Sequence, residues 1–372
     1  MSRAKKNKKY FGLEASGRIT PPLLAVLILT ITLISCLISV SARADGPFVP
    51  SENVVCPDKN AAQTGSVADE YALARAYDKG TCGIAANLQT AMPWYTRAAE
   101  HGSMMAQYWL GEIYFSGSSN NGVSDYPAAK KWFTAAAQQG QGLAQLRLAY
   151  LNAEAHYKGL TTNYKEAEKW FLKAANQNAG DAQFRLGNFY HNYKKPREPK
   201  KAVYWLTRAA EGGNRLAMFD LSQMLAKGEG APKDPAQALI WMKKAADLDM
   251  LPAQMMLSEK YATGDGVEKD PVQSLIWTLR VAEGPSAIPH WIDKAADIFF
   301  SGWGTIPKNY PRALKLYERA AVKDDPHAEG RLGEMYMKGL GVKADPAKAK
   351  EYLTKAADGD DAEAKDLLSG KK

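Results

Sequence analysis

Residues 253–282, AQMMLSEKYATGDGVEKDPVQSLIWTLRVA, are the stretch whose reading decides the fold. Ala253, Leu257, Ser258 and Tyr261 fall at i, i+4, i+5 and i+8, which is one face of a helix. Gly264 stands where a helix C-terminus calls for a left-handed residue. Asp270 then offers an N-cap, and Pro271 fits the first turn of a second helix. That helix carries Ser274, Trp277 and the small pair Val281-Ala282. The stretch reads as helix, glycine turn, helix.

The same unit recurs along the chain. Its second helix appears as Ala91…Trp94…Ala98-Ala99, Ala129…Trp132…Ala136-Ala137, Ala167…Trp170…Ala174-Ala175, Ala202…Trp205…Ala209-Ala210 and Ala238…Trp241…Ala245-Ala246. After the Trp277 copy come Ala313…Leu316…Ala320-Ala321 and Ala349…Tyr352…Ala356-Ala357. The tryptophan position steps by 35 to 39 residues, a period that means stacked supersecondary units. Seven residues after each small pair the first helix restarts, as Ala106/Leu110/Gly111, Ala144/Leu148/Ala149, Ala182/Leu186/Gly187, Ala217/Leu221/Ser222 and Ala328/Leu332/Gly333. Small residues at fixed points let helix backbones approach, and the Trp and Tyr rings are expected to fill the space between units.

Two units depart from the pattern. In the seventh, Trp291 stands in place of the packing Ala and Ala295 in place of Leu, and Pro285 and Pro289 lengthen the preceding turn. A Trp in an Ala-sized contact displaces its neighbours, so a local bend or widened groove is expected there. In the fourth, the glycine turn becomes a basic loop with Lys194, Lys195, Arg197, Lys200 and Lys201, a docking point for an acidic partner or simply a solvated loop. Asp69 replaces the first packing Ala, a polar outer cap, and Ala364…Leu368 begins a ninth first helix as the other cap.

The pattern Ala-x-x-x-Leu-Gly-x-x-Tyr-x-x-Gly-x-Gly-Val-x-x-Asp-Pro-x-x-Ala-x-x-Trp-x-x-x-Ala-Ala resembles the Sel1-like repeat, a relative of the tetratricopeptide repeat. The units at Ala253 and Ala328 carry its double-glycine turn as Gly264-Asp265-Gly266-Val267 and Gly339-Leu340-Gly341-Val342. The resemblance covers residues 68–372 and implies an all-α fold, a right-handed α/α solenoid of about eight repeats, that works by binding other proteins. Exported bacterial members resemble envelope scaffolds, regulators and proteins that meet a host. One branch, rich in paired cysteines, binds β-lactams; this chain lacks those pairs, so that activity is not carried over.

Charge and targeting place the chain. Net charge is +8, but residues 1–44 hold seven of the 48 basic residues and only one of the 40 acidic ones. The near-neutral remainder argues against nucleic acid as a partner. The basic start precedes the uncharged run 23–40 and then Ala42-Arg43-Ala44. Residues 1–44 therefore read as a signal peptide cleaved after Ala44, a retained membrane anchor, or a lipoprotein signal with its lipid on Cys36. Each alternative puts residues 45–67, a tail, and 68–372, the solenoid, outside the cytoplasm, periplasmic or secreted. In an oxidising compartment Cys56 and Cys82 suggest a disulfide closing the tail onto the first repeat, with two unrelated buried thiols as the alternative.

Catalytic and metal motifs are missing from the sequence. The five histidines fall in different units without metal spacing, and there is no nucleophile elbow or phosphate loop. No catalytic residue, metal or cofactor is expected. The expected function is an exported protein-interaction scaffold or regulator in the bacterial cell envelope, with envelope or host proteins as partners and membrane contact only through the N-terminal segment. If i, i+4 and i+8 face inward, the i+3 and i+6 positions of the first helices form an exposed stripe. It holds Trp109, Glu112, Arg147, Tyr150, Arg185, Asn188, Arg331 and Glu334, residue types that anchor interfaces unless they pack between units. The rival expectation is a cell-wall glycan or small-ligand site, binding or enzymatic, near the seventh unit, where Trp291 and Trp303 stand.

Overall fold

The computed structural model describes residues 56–370 apart from 155, 178–179 and 285–286. The leader 1–44 with Cys36, and Pro285, lie outside the described residues. Among the described residues no helix is long and apolar enough to cross a membrane.

A short helix, α1 (Lys59–Gln63), precedes eight helix pairs. In chain order they are α2 (Val67–Lys79) with α3 (Leu88–Glu100), α4 (Met104–Ser116) with α5 (Tyr126–Gln138), α6 (Gly142–Ala153) with α7 (Tyr164–Ala175), and α8 (Gly180–Asn188) with α9 (Pro199–Glu211). Then follow α10 (Arg215–Lys227) with α11 (Pro235–Asp247), α12 (Leu251–Thr263) with α13 (Pro271–Glu283), α14 (Pro289–Ser301) with α15 (Tyr310–Ala321), and α16 (Pro326–Lys338) with α17 (Pro346–Asp358). Helix α18 (Ala362–Leu368) opens a ninth unit. The fold is an all-α solenoid of eight repeats, and the chain forms two compact units, residues up to 245 and residues from 246. Asp69 caps the start as expected, its carboxylate accepting from the Ser66 hydroxyl and the Asp58 N–H. Cys56 and Cys82 are joined by a disulfide, so the tail is tied to the turn after α2.

Sequence chemistry explains where each helix begins and ends. Asp270 accepts hydrogen bonds from the N–H groups of Val272 and Gln273, and Asp345 from those of Ala347 and Lys348. These side chains satisfy donors that a helix start leaves orphaned. A backbone bond then pins each turn: the N–H of Asp125, Asp270 and Asp345 donates to the carbonyl of Tyr114, Tyr261 and Tyr336, at 2.9 Å in each repeat.

The core lies between the two helices of each repeat and the first helix of the next. In the unit up to 245, Ala91, Tyr95, Ala98 and Ala99 of α3 pack with Ala74 of α2 and with Ala106, Leu110 and Ile113 of α4. In the unit from 246, one buried cluster runs from Leu279 and Ala282 of α13 through Ala295 and Ala296 of α14 to Leu332 and Met335 of α16. The joint between the sixth and seventh repeats is thus filled rather than widened. Trp291 is itself buried there, with the Lys294 ammonium 4.5 Å from its ring centre.

The recurring Trp is not the deepest side chain of the second helix. The residue after it is: Tyr95, Phe133, Phe171, Leu206, Met242, Thr278, Tyr317 and Leu353 are all buried. The Trp sits one position round the helix, at the edge of the core, where a cation three residues on lies across its face. Lys173 stands 4.6 Å from the Trp170 ring centre, Lys244 4.2 Å from Trp241 and Arg280 4.6 Å from Trp277. Such cation–π contacts shield the exposed edge of an aromatic ring.

Close approach needs small residues, as two glycines illustrate. A Cβ on Gly111 of α4 would lie 2.5 Å from the Phe133 ring of α5, and one on Gly341, which has φ 71°, would lie 2.6 Å from the backbone of Tyr310 at the start of α15. Gly111→Ala is expected to destabilise the protein by about 1–3 kcal/mol through overpacking against Phe133. Ala149 already occupies the matching position of the third repeat, so Ala149→Gly should create no clash. Urea denaturation of the two variants beside the wild type checks both outcomes.

Candidate interaction surface

The i+3 and i+6 positions do share one face, but they are half-buried and pair with each other across repeats. Arg75 of α2 lies 4.4 Å from the ring centre of Trp109 on α4. Arg147 of α6 makes a two-pronged bond to Glu112 of α4, Nε donating to Oε1 at 2.6 Å and Nη2 to Oε2 at 3.0 Å. Arg185 of α8 donates to the Tyr150 hydroxyl of α6 at 3.2 Å and to Asp181 of its own helix at 2.7 Å. In the unit from 246, Lys294 of α14 pairs with Glu259 of α12. Each of these contacts joins the i+6 residue of one first helix to the i+3 residue of the next, and the result is a ladder.

The expectation of an exposed stripe is therefore corrected. Stacking the repeats brings partners 34 or 35 residues apart within bonding range, and the face satisfies itself. Asn188 is not a rung; its side chain accepts from Asn192 at 3.2 Å. Arg331 bonds Glu334 of its own helix at 2.9 Å and reaches Glu363 of α18 at 3.3 Å. Glu334 is buried; that burial raises its pKa, but Lys338 and Arg331 outweigh it and hold the carboxyl below its ordinary value. Burial likewise opposes the charge on Arg147, and Glu112 more than offsets it. Trp109 keeps its indole N–H buried without an acceptor.

A second ladder escaped the sequence reading. Gln107, Gln145, Gln183 and Gln254, each just after the packing Ala, are buried and donate to the carbonyls of Ala99, Ala137, Ala175 and Ala246 at 3.0–3.5 Å. They add a side-chain donor to a carbonyl in the last turn of the preceding second helix; those of Ala99, Ala137 and Ala246 also accept a backbone N–H. Gln139 and Gln177 then donate to the side-chain oxygens of Gln107 and Gln145. The signal was present as the recurring Ala-Gln step, but nothing in composition marks glutamine as a core residue.

The basic loop of the fourth repeat is partly neutralised. It follows a π-helical turn, Phe189–Tyr193. Lys194 bonds Glu168 at 2.6 Å and also pairs with Glu198, while Lys201 bonds Glu198 at 2.7 Å. Only Lys195, Arg197 and Lys200 of the five stand exposed without an ion pair among those described. The aromatic platform expected in the seventh repeat fares no better. Trp291 is buried, and Trp303 is partly buried against the core cluster. The histidines do not all stay isolated: His327 of α16 meets Asp293 and Asp297 of α14.

The model of the Sel1 repeat matches residues 68–103, 105–141, 142–178, 180–214, 215–250, 251–285, 293–325 and 326–361. The chain belongs to the Sel1 repeat family. Sel1 repeat proteins bind other proteins, and the repeat is a scaffold rather than a characteristic catalytic fold. A Sel1 repeat protein from Oxalobacter formigenes is similar over 100% of this chain and 98% of its own, at 26% identity and a TM-score of 0.60. A protective antigen present in uropathogenic Escherichia coli strains is similar over 83% of this chain and 72% of its own, at 26% identity and a TM-score of 0.56. The ERAD-associated E3 ubiquitin-protein ligase component HRD3B of Arabidopsis thaliana shares 36% identity over 61 residues, 15% of this chain and only 10% of that relative.

The rungs give this Sel1 repeat protein a measurable coupling. Glu112→Ala and Arg147→Ala should each lower the urea midpoint, and the double variant should lose less than the two together. A coupling of about 0.5–1 kcal/mol, shrinking in high salt, is expected for a bidentate pair that is partly exposed. Fully additive losses would mean that the rung contributes nothing.

Proposed function

We propose that this Sel1 repeat protein is an exported scaffold in the bacterial cell envelope, holding partner proteins against the face that carries the arginine–aromatic ladder. The observation that carries the reading is the ladder itself. Trp109, Arg147, Tyr150 and Arg185 come from consecutive first helices and are held in fixed rotamers by their neighbours. Arg, Tyr and Trp are the residues that anchor interfaces, and a side chain already ordered loses little entropy when a partner lands on it. Arg147 and Arg185 keep part of their side chains in solvent, so they can add a partner's carboxylate or carbonyl without breaking the rung.

Two further observations support export. The Cys56–Cys82 disulfide suits an oxidising compartment. The basic start, the uncharged run 23–40 and Ala42-Arg43-Ala44 have the form of a secretory signal, with an anchor as the alternative. The likeness to a protective antigen of Escherichia coli strains agrees with a bacterial protein that a host encounters.

The binding test is cross-linking in native envelopes followed by capture of the tagged chain. Arg147→Ala combined with Arg185→Ala should lose partners that the wild type retains, with a melting curve showing that the solenoid persists. Recovery of the same partners by both proteins would remove the ladder face from the reading. Export has its own test. Denaturing alkylation of whole cells should leave Cys56 and Cys82 unlabelled until a reductant is added, and labelling without reductant would place the chain in a reducing compartment.

A further inference from the structure

We propose that Asp293, Asp297 and His327 form a site for a divalent transition-metal ion of the zinc type, bridging the seventh and eighth repeats. Asp293 and Asp297 are one turn apart on α14, so their carboxylates share a face. His327 projects from the first turn of α16. One ligating atom from each of the three lies within 4.8 Å of the others. Asp293 accepts from or shares a proton with His327, Oδ2 to Nδ1, at 2.6 Å. The Tyr317 hydroxyl donates to Asp297 Oδ1 at 2.6 Å.

The arrangement is more than a group of acids. Asp293 is 7% exposed, and its second oxygen, Oδ1, is buried without a hydrogen bond. A buried carboxylate oxygen with no partner is costly, and a cation is one group that would satisfy it. Asp325 adds a third carboxylate nearby, though its Oδ1 already caps α16 through the Ala328 N–H. Arg331, whose charge acts on His327, is drawn towards Glu334 and Glu363. The hydrogen bond between Asp293 and His327 therefore lies where a metal would bind.

The donor set chooses the metal. Imidazole suits zinc, and two carboxylate oxygens complete three protein ligands with a fourth position for water. Calcium and magnesium prefer all-oxygen shells, which the imidazole breaks. Tyr317 is buried and fixes the orientation of Asp297, the role that outer hydrogen bonds play around metal ligands. On binding, Asp293 and His327 turn from each other to the ion and their shared proton leaves to solvent. The 34-residue span from Asp293 to His327 matches that of the ladder rungs, so the ion would act as one more inter-repeat link.

The experiment uses the full chain, purified in detergent and stripped with a chelator, titrated with zinc chloride in a calorimeter and with cobalt chloride in a spectrophotometer. Wild type is expected to bind one equivalent of zinc, release protons in proportion to the buffer's ionisation heat, and melt at a higher temperature with zinc than without. Cobalt should give visible bands that His327→Gln abolishes. Asp297→Asn, at a half-buried position, should fold and lose the zinc response. If His327→Gln fails to fold, Asp297→Asn decides alone. The proposal is overturned if Asp297→Asn takes up zinc as the wild type does, or if the wild type takes up none. Neither result bears on partner capture by the ladder face.

Discussion

Helix backbones in this protein meet over alanine and glycine, and that closeness constrains everything else. The small pairs of the second helices, Ala98-Ala99 and Ala136-Ala137 among them, are buried against the first helices on either side. With no bulk at the contact, the larger side chains must find room beside it. In four of the eight second helices a ring, Tyr95, Phe133, Phe171 or Tyr317, goes inward and fills the core, and in the others a smaller side chain such as Leu206 does so. The adjacent Trp is left at the rim under a lysine or arginine.

Close stacking also sets the polar contacts. Each repeat places the same helix positions beside those of its neighbour, so any complementary pair at those positions becomes a bond. Glutamines close the ends of second helices, and arginines tie first helices together. A net contribution of about 0.5–1.5 kcal/mol per bond is modest. Repeated at successive joints, these bonds form the nearest-neighbour coupling on which a solenoid depends.

The irregular repeats follow the same logic with different side chains. In the fourth, Lys194 and Lys201 of the basic loop find Glu168 and Glu198 and become part of the joint. In the seventh, a Trp replaces Ala without opening the stack: Trp291 is itself buried, and one core cluster runs through the repeat. Beside it, the joint with the eighth repeat carries a half-buried histidine bonded to a buried carboxylate, where the joints among the first four repeats carry ladder rungs and glutamines. What distinguishes this array from a uniform one is concentrated at these joints.

Period, helix pairs, caps and turns were legible from local chemistry alone. The Ala…Trp…Ala-Ala register, the left-handed glycines and the Asp-Pro steps act within one repeat and need no partner from outside it. The cap at Asp69 was legible too, and a count of cysteines could suggest the pairing of Cys56 with Cys82. The ladder, the buried glutamines and the meeting of Asp293, Asp297 and His327 were not legible. Each joins residues in neighbouring helices or repeats, and whether two such residues touch depends on how one helix is rotated against the next. That rotation is set by side-chain volumes summed over a whole contact, which no single motif records. The sequence by itself determined that this chain is a stack of repeats; only the stacking decided which of its charged and aromatic residues face solvent and which face each other.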